Sequence, residues 1–194
     1  MLDHALDYLR AGAYNNAWAN HRLLAACARL DHAAFVAPRA GFFPSLQRTL
    51  NHLLIVDHYY VDALEGGDLG PAAWADRVPC PGVSALRAAQ VAVDRRLIAV
   101  CESLTPATLG RATRMRRADH VQVERADRVL LHLFQHQVHH RGQAHAMLSA
   151  TSVAPPQLDE FYPAEDAPLR VGDLAELGVD EATIWRSIAA VDPG

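Results

Sequence analysis

The sequence predicts an all-α protein built as a four-helix bundle with a short C-terminal extension, and three observations carry that prediction. Four long stretches place apolar residues at the three- and four-residue spacing of an amphipathic helix. Alternation of polar and apolar residues, the mark of a half-buried strand, is confined to one short segment around "HVQVE". The connections carry Pro and Gly and have ordinary loop lengths, so successive helices can fold back on one core.

The first helix spans about residues 2–30, with Leu6, Leu9, Ala13, Ala17, Leu24 and Cys27 at helical spacing, and "APRAGFFPS" breaks it. Ser45, directly after Pro44, is placed to cap a second helix running to about Leu64, where "EGGDLGP" supplies glycines for a stop. Ser84 is likewise placed to cap a third, over about 84–103, ended by "LTPATLG". Residues 111–125 read as extended, a short hairpin or an ordered loop. The last long helix occupies about 126–150 and is closed by Pro155 and Pro156, after which "VGDLAELGVDEATIWRSIAAV" forms one or two short helices. The 104–125 connection is long enough to cross over, which points to up-down-down-up order.

Composition excludes several classes. A chain of 194 residues with 51% hydrophobic content and a net charge of −4 is one soluble domain with room for a sizeable core. A pI near 6.2 argues against a nucleic-acid partner. The arginine-rich stretch from Arg111 to Arg128 is either a solvated extended face or an anion contact. No apolar run reaches 18 residues and "MLDHALDYLR" lacks the features of a signal peptide, so a cytoplasmic location without membrane contact is expected. Cys27, Cys80 and Cys101 have no C-x-x-C spacing and are odd in number, which suits a reducing compartment; Cys27 and Cys101 read as inert core residues and Cys80 as a structural loop residue.

The chemistry concentrates in "LLHLFQHQVHHRGQAHAML", residues 130–148, which holds five of the eleven histidines. At about 100° per residue, Val129, Leu133, Ala144 and Met147 define an apolar stripe, and His136 and His140 fall on or beside it, one turn apart. His132 and His139 lie on its flank and His145 well round to the other side. In the second helix His52 lines up with Val56, Tyr59 and Ala63, whereas His58 turns to the side shared with Asp62. Taken alone, each inward histidine is as well explained by a satisfied core hydrogen bond. Together, three buried imidazoles without a shared partner would cost several kcal/mol, which favours a common metal ion. Asp57 and Asp62 rotate away from His52, so no fourth ligand is nominated and a coordination position stays open, as in catalytic sites. A three-histidine site accepts zinc, nickel, iron or manganese.

The segments "YNNAWANHRLLAACARL", "FFPSLQRTLNHLLIVDHYYVDAL", "LLHLFQHQVHHRGQAHAMLS" and "APPQLDEFY" resemble the DinB/YfiT-like family of small bacterial proteins, which is unrelated to the DNA polymerase of the same name. The most specific piece is "HQVHHRGQ", paired with the "NH" of the second helix, and the likeness covers about residues 5–163. The resemblance implies a domain over 1–163, an up-down-down-up bundle, a homodimer, and a divalent metal, zinc or nickel, on His52, His136 and His140; residues 164–194 extend past the likeness, as a C-terminal extension that either packs on the same domain or extends a dimer contact. It also implies a small-molecule substrate and metal-assisted activation of a low-molecular-weight thiol. The alternatives are a metal-dependent hydrolase and a non-catalytic metal-binding stress-response protein. Arg141 is then a candidate for a substrate carboxylate or an ion pair, Gln143 for a contact behind a ligand, and Tyr59 for substrate. Asn51, next to the ligand His52, reads as a packing polar residue.

Overall fold

A computed structural model describes residues 2–185. Helix α1 (Leu2–Cys27) buries Leu9, Ala13, Ala17, Leu24 and Cys27, with Leu6 half-buried at the stripe's edge. A five-residue helix follows, α2 (His32–Val36), started by the Asp31 carboxylate accepting from the Ala34 N–H at 2.7 Å and anchored by buried Phe35. It is too short to show a period, so it has no signature in the sequence.

The predicted start and stop of the second long helix are both present in α3 (Leu46–Glu65). Ser45 Oγ accepts from the Arg48 N–H, and Gly66 takes the left-handed conformation (φ 88°) with its N–H returned to the Ala63 carbonyl. The cap expected at Ser84 is corrected: α4 (Val83–Ser103) begins before it, with extended Gly82 at the N-cap and no side-chain cap bond. Glycine is tolerated at that position because its backbone reaches the non-helical conformation a cap needs.

The chain is mostly helical, and residues 111–125, expected as a short hairpin or an ordered loop, contain an antiparallel hairpin, β1 (Ala112–Arg116) and β2 (Val121–Arg125), with Arg114 opposite Val123. Thr113 and Met115 are its buried residues. Its arginines are largely spent on structure: Arg111 donates to the Leu64 carbonyl, Arg116 to the Asp68 carbonyl at 3.0 Å and Arg117 to Gln122, while Arg125 and Arg128 pair with Asp127 and Glu124. The solvated-face reading of this stretch is the one these contacts support.

Helix α5 (Ala126–Leu148) carries the histidines. The four long helices meet around one core that includes Leu23, Leu53, Leu86, Leu97, Leu130 and Leu133, with α1 against α4 and α5, and α3 against the same two. Beyond it, α6 (Ala167–Leu177) and α7 (Glu181–Trp185) cover the outer face of α1 through a second apolar cluster containing Trp18, Phe161, Leu174 and Ile184. Fully buried Arg170 ties this layer together, pairing with Glu181 and donating to the Glu160 and Pro163 carbonyls. The predicted terminal helical segment continues to Val191, and its last residues lie outside the described ones.

Cys27 and Cys101 are buried with thiols pushed up to about 12 by desolvation, so they are inert; Cys80 is half-buried in the loop before α4. Among the described residues no helix is long and apolar enough to cross a membrane.

Candidate metal centre

Two adjacent turns of α5 present His136 and His140 on the side that packs against α3, and α3 presents His52 to them. One ligand atom from each of the three lies within 4.8 Å of the others, and the Nε2 atoms of His52 and His136 stand 3.0 Å apart. The rings crowd, with centroids 4.5 to 5.0 Å apart. Phe43, from the loop before α3, closes one side at 4.4 Å from the His52 ring and 5.5 Å from that of His140.

The protonation of the cluster follows from its crowding. Burial, then the neighbouring His140 and Arg77, brings His52 down to about 4; burial, then His140 and His52, brings His136 down to about 3; burial also lowers His140. All three are therefore neutral near pH 7 and offer lone pairs. The His140 tautomer is set from behind: its Nδ1–H donates to Gln143 Oε1 at 2.8 Å, which leaves Nε2 as the acceptor atom, and the Gln143 amide donates in turn to His139 Nε2 at 3.0 Å.

This donor set fits a divalent cation. Imidazole nitrogens each about 2.0–2.1 Å from one ion stand roughly 3 Å apart, the spacing seen between His52 and His136. His136 Nδ1 is buried with no hydrogen-bond partner among the described residues, so the ring's polar capacity is met only on the side facing the other two. Without an ion the 3.0 Å contact is a single N–H···N bond; with one, both nitrogens present lone pairs.

The other candidates go elsewhere. Tyr59 is buried, with its hydroxyl donating to the Arg116 carbonyl at 3.1 Å and its ring 4.6 Å from Trp74, so it braces the hairpin on α3. Asn51 clamps the loop before α4: its amide donates to the Cys80 carbonyl and its oxygen accepts from the Cys80 N–H, both at 2.9 Å. His132 and His139 are exposed, His145 bonds the Pro156 carbonyl, and His58 sits beside Arg96.

Arg141 is buried and turned toward α1, donating to Asn16, to Asn20 at 3.1 Å and to Gln137 at 3.4 Å. It belongs to a polar layer behind the ligands that sequence reasoning did not find. Gln90 bridges the two buried carboxyls, Asp57 at 2.7 Å and Asp94 at 3.1 Å; Asn16 and Asn20 donate to Asp94, and Gln137 donates to Asp57. Burial raises both carboxyls above their usual range, and repulsion from Asp94 adds to it for Asp57. The available signal was the i, i+4 pairs Asn16/Asn20 and Gln90/Asp94 on faces that otherwise pack inward.

Beside His52 lies a cavity of about 280 Å³ bordered by Phe43, Arg48, Ile55, Trp74 and Arg77. Of the triad, His52 borders this cleft, so a molecule held there lies beside one of the three imidazoles.

The family model described as the DinB family matches residues 1–169. No curated protein matches the chain.

Proposed function

Since the chain belongs to the DinB family, we propose that it is a metal-dependent enzyme that activates a low-molecular-weight thiol for transfer to a small-molecule substrate, with His52, His136 and His140 holding zinc or nickel. The observation that carries this reading is the convergence of three neutral imidazoles, one of which, His52, borders a cleft, with three protein donors rather than four in the group among the described residues. When bound, a divalent ion lowers the pKa of a thiol or water in its open position and so supplies a nucleophile near neutral pH. The chain's own residues do the rest. Gln143 holds the tautomer and orientation of His140, Phe43 keeps water from one flank of the triad, and the cleft receives the acceptor.

The four long helices form, in this reading, an up-down-down-up bundle. The neighbour relations support it, with α3 beside both α4 and α5 and two long connections, 66–82 and 104–125, available to cross over. Three free cysteines suit a reducing cytoplasm. We place a homodimer contact on the α1/α5 face, where Tyr8, Leu131, Val138 and Tyr162 leave large apolar side chains exposed. Light scattering giving twice the monomer mass, reduced by Leu131→Glu, supports that contact; an unchanged monomer removes it.

The activity is tested by following thiol loss with glutathione or cysteine and an electrophilic haloaromatic acceptor. The zinc- and nickel-loaded protein should consume thiol with acceptor, and metal-stripped protein and His52→Ala should not. Equal rates with metal, without metal and in His52→Ala refute thiol activation, and turnover of an ester without thiol moves the assignment to hydrolysis.

A further inference from the structure

The cleft beside His52 gathers positive charge that the rest of the molecule leaves uncommitted. Arg48 stands one turn before His52 on α3 and Ile55 follows three residues after it, so cation, imidazole and aliphatic side chain share a helix face. Arg77 arrives from the loop between the short 3-10 turn Gly70–Trp74 and α4. That loop is fastened to α3 by the double bond of Asn51 to Cys80 and by Gln47 donating to the Pro81 carbonyl at 2.8 Å. Trp74 is set by its contact with Tyr59.

Neither the Arg48 nor the Arg77 guanidinium makes a hydrogen bond or ion pair among the described residues; Arg87, Arg95 and Arg114 are likewise unpaired there, but Arg48 and Arg77 border one cavity. No acidic residue borders the cleft, although the chain as a whole is acidic at −4. Its walls are otherwise apolar, from Phe43, Ile55 and Trp74. Two unpaired guanidiniums over aromatic and aliphatic walls are the recognition chemistry of an organic carboxylate, because arginine pairs a planar anion through forked hydrogen bonds while the walls take the hydrocarbon.

We propose that this cleft is the subsite for a small carboxylate with an apolar body, its carboxylate held by Arg48 and Arg77 and its body packed on Phe43, Ile55 and Trp74, beside His52. The meaning of that placement for catalysis rests on the metal-enzyme reading above; the binding itself does not. A volume of about 280 Å³ has room for a molecule the size of phenylpropanoate.

The test is calorimetric titration of 3-phenylpropanoate, with inorganic phosphate as the control anion, into zinc-loaded and metal-stripped wild type, into Arg48→Gln/Arg77→Gln and into His136→Ala. Both arginines are exposed, so the double variant should keep its helical circular dichroism. Expected is binding of phenylpropanoate to wild type with or without metal, a loss of about tenfold or more in the double arginine variant, and retention in His136→Ala. Failure of the metal reading would show separately, as wild type that takes up no zinc yet still binds the carboxylate through its arginines. Absence of binding, an undiminished affinity in the double variant, a dependence on metal alone, or equal affinity for inorganic phosphate each overturns the proposal.

Discussion

Zinc-reconstituted wild type should carry close to one ion per chain, and His136→Ala should lose most of it by elemental analysis after gel filtration. His136 is the central donor: its Nε2 is 3.0 Å from that of His52, its ring centroid is 4.5 Å from that of His140, and its second nitrogen has no other partner among the described residues. Removing it leaves two imidazoles on different helices, too few to displace most of an ion's water. His52→Ala and His140→Ala should do the same. Gln143→Leu is a graded control, because it frees the His140 ring without removing a donor; a weakening of about 10–100-fold is expected. Stoichiometric metal in His136→Ala, or none in wild type after reconstitution with zinc and nickel, would refute the assignment.

The second large effect is expected from Arg141→Met, and it is a stability effect. Arg141 is the cation of a layer that buries Asp57 and Asp94, and methionine keeps much of the bulk while deleting the charge. Breaking one side of a buried charge arrangement costs about 3–5 kcal/mol, which in a domain of this size lowers Tm by about 10 °C. Arg141→Met/Asp94→Asn should recover part of the loss, since the uncompensated carboxylate is gone; a Tm within about 2 °C of wild type for the single variant would show that Arg141 does not balance the layer.

The pH dependence has a definite sign. Burial lets both carboxyls hold protons in the folded chain above 3.8, where the unfolded chain has released them, so their contribution is full below pH 3.8 and is lost as pH rises through their raised folded values. Urea titrations of wild type and Asp57→Asn over that range should differ in slope, with wild type losing more stability as the pH increases.

The fold was legible where a local rule acts alone. Ser45 and Gly66 delimit α3 because a hydroxyl cap and a left-handed stop are properties of the residues themselves. Ser84 misled because Gly82 already supplied the extended conformation that starts α4, and α2 was invisible because one turn has no period. The inward faces of His52, His136 and His140 were readable from helical geometry, and these are the three that come together.

What sequence periodicity could not weigh was a polar residue whose partners lie on other helices. Arg141 follows a ligand directly in the chain yet turns to Asn16 and Asn20 of α1, and Asp57 is joined to Asp94 only through Gln90 of α4. Arg77 is 25 positions from His52 along the chain and enters its cleft only because Asn51 and Gln47 fasten the intervening loop. The sequence by itself determined which long helices form and which histidines face inward, since both depend on spacing within one segment. The tertiary structure alone decided what stands behind and beside those histidines, because a buried charge is tolerated only where distant segments bring it a partner.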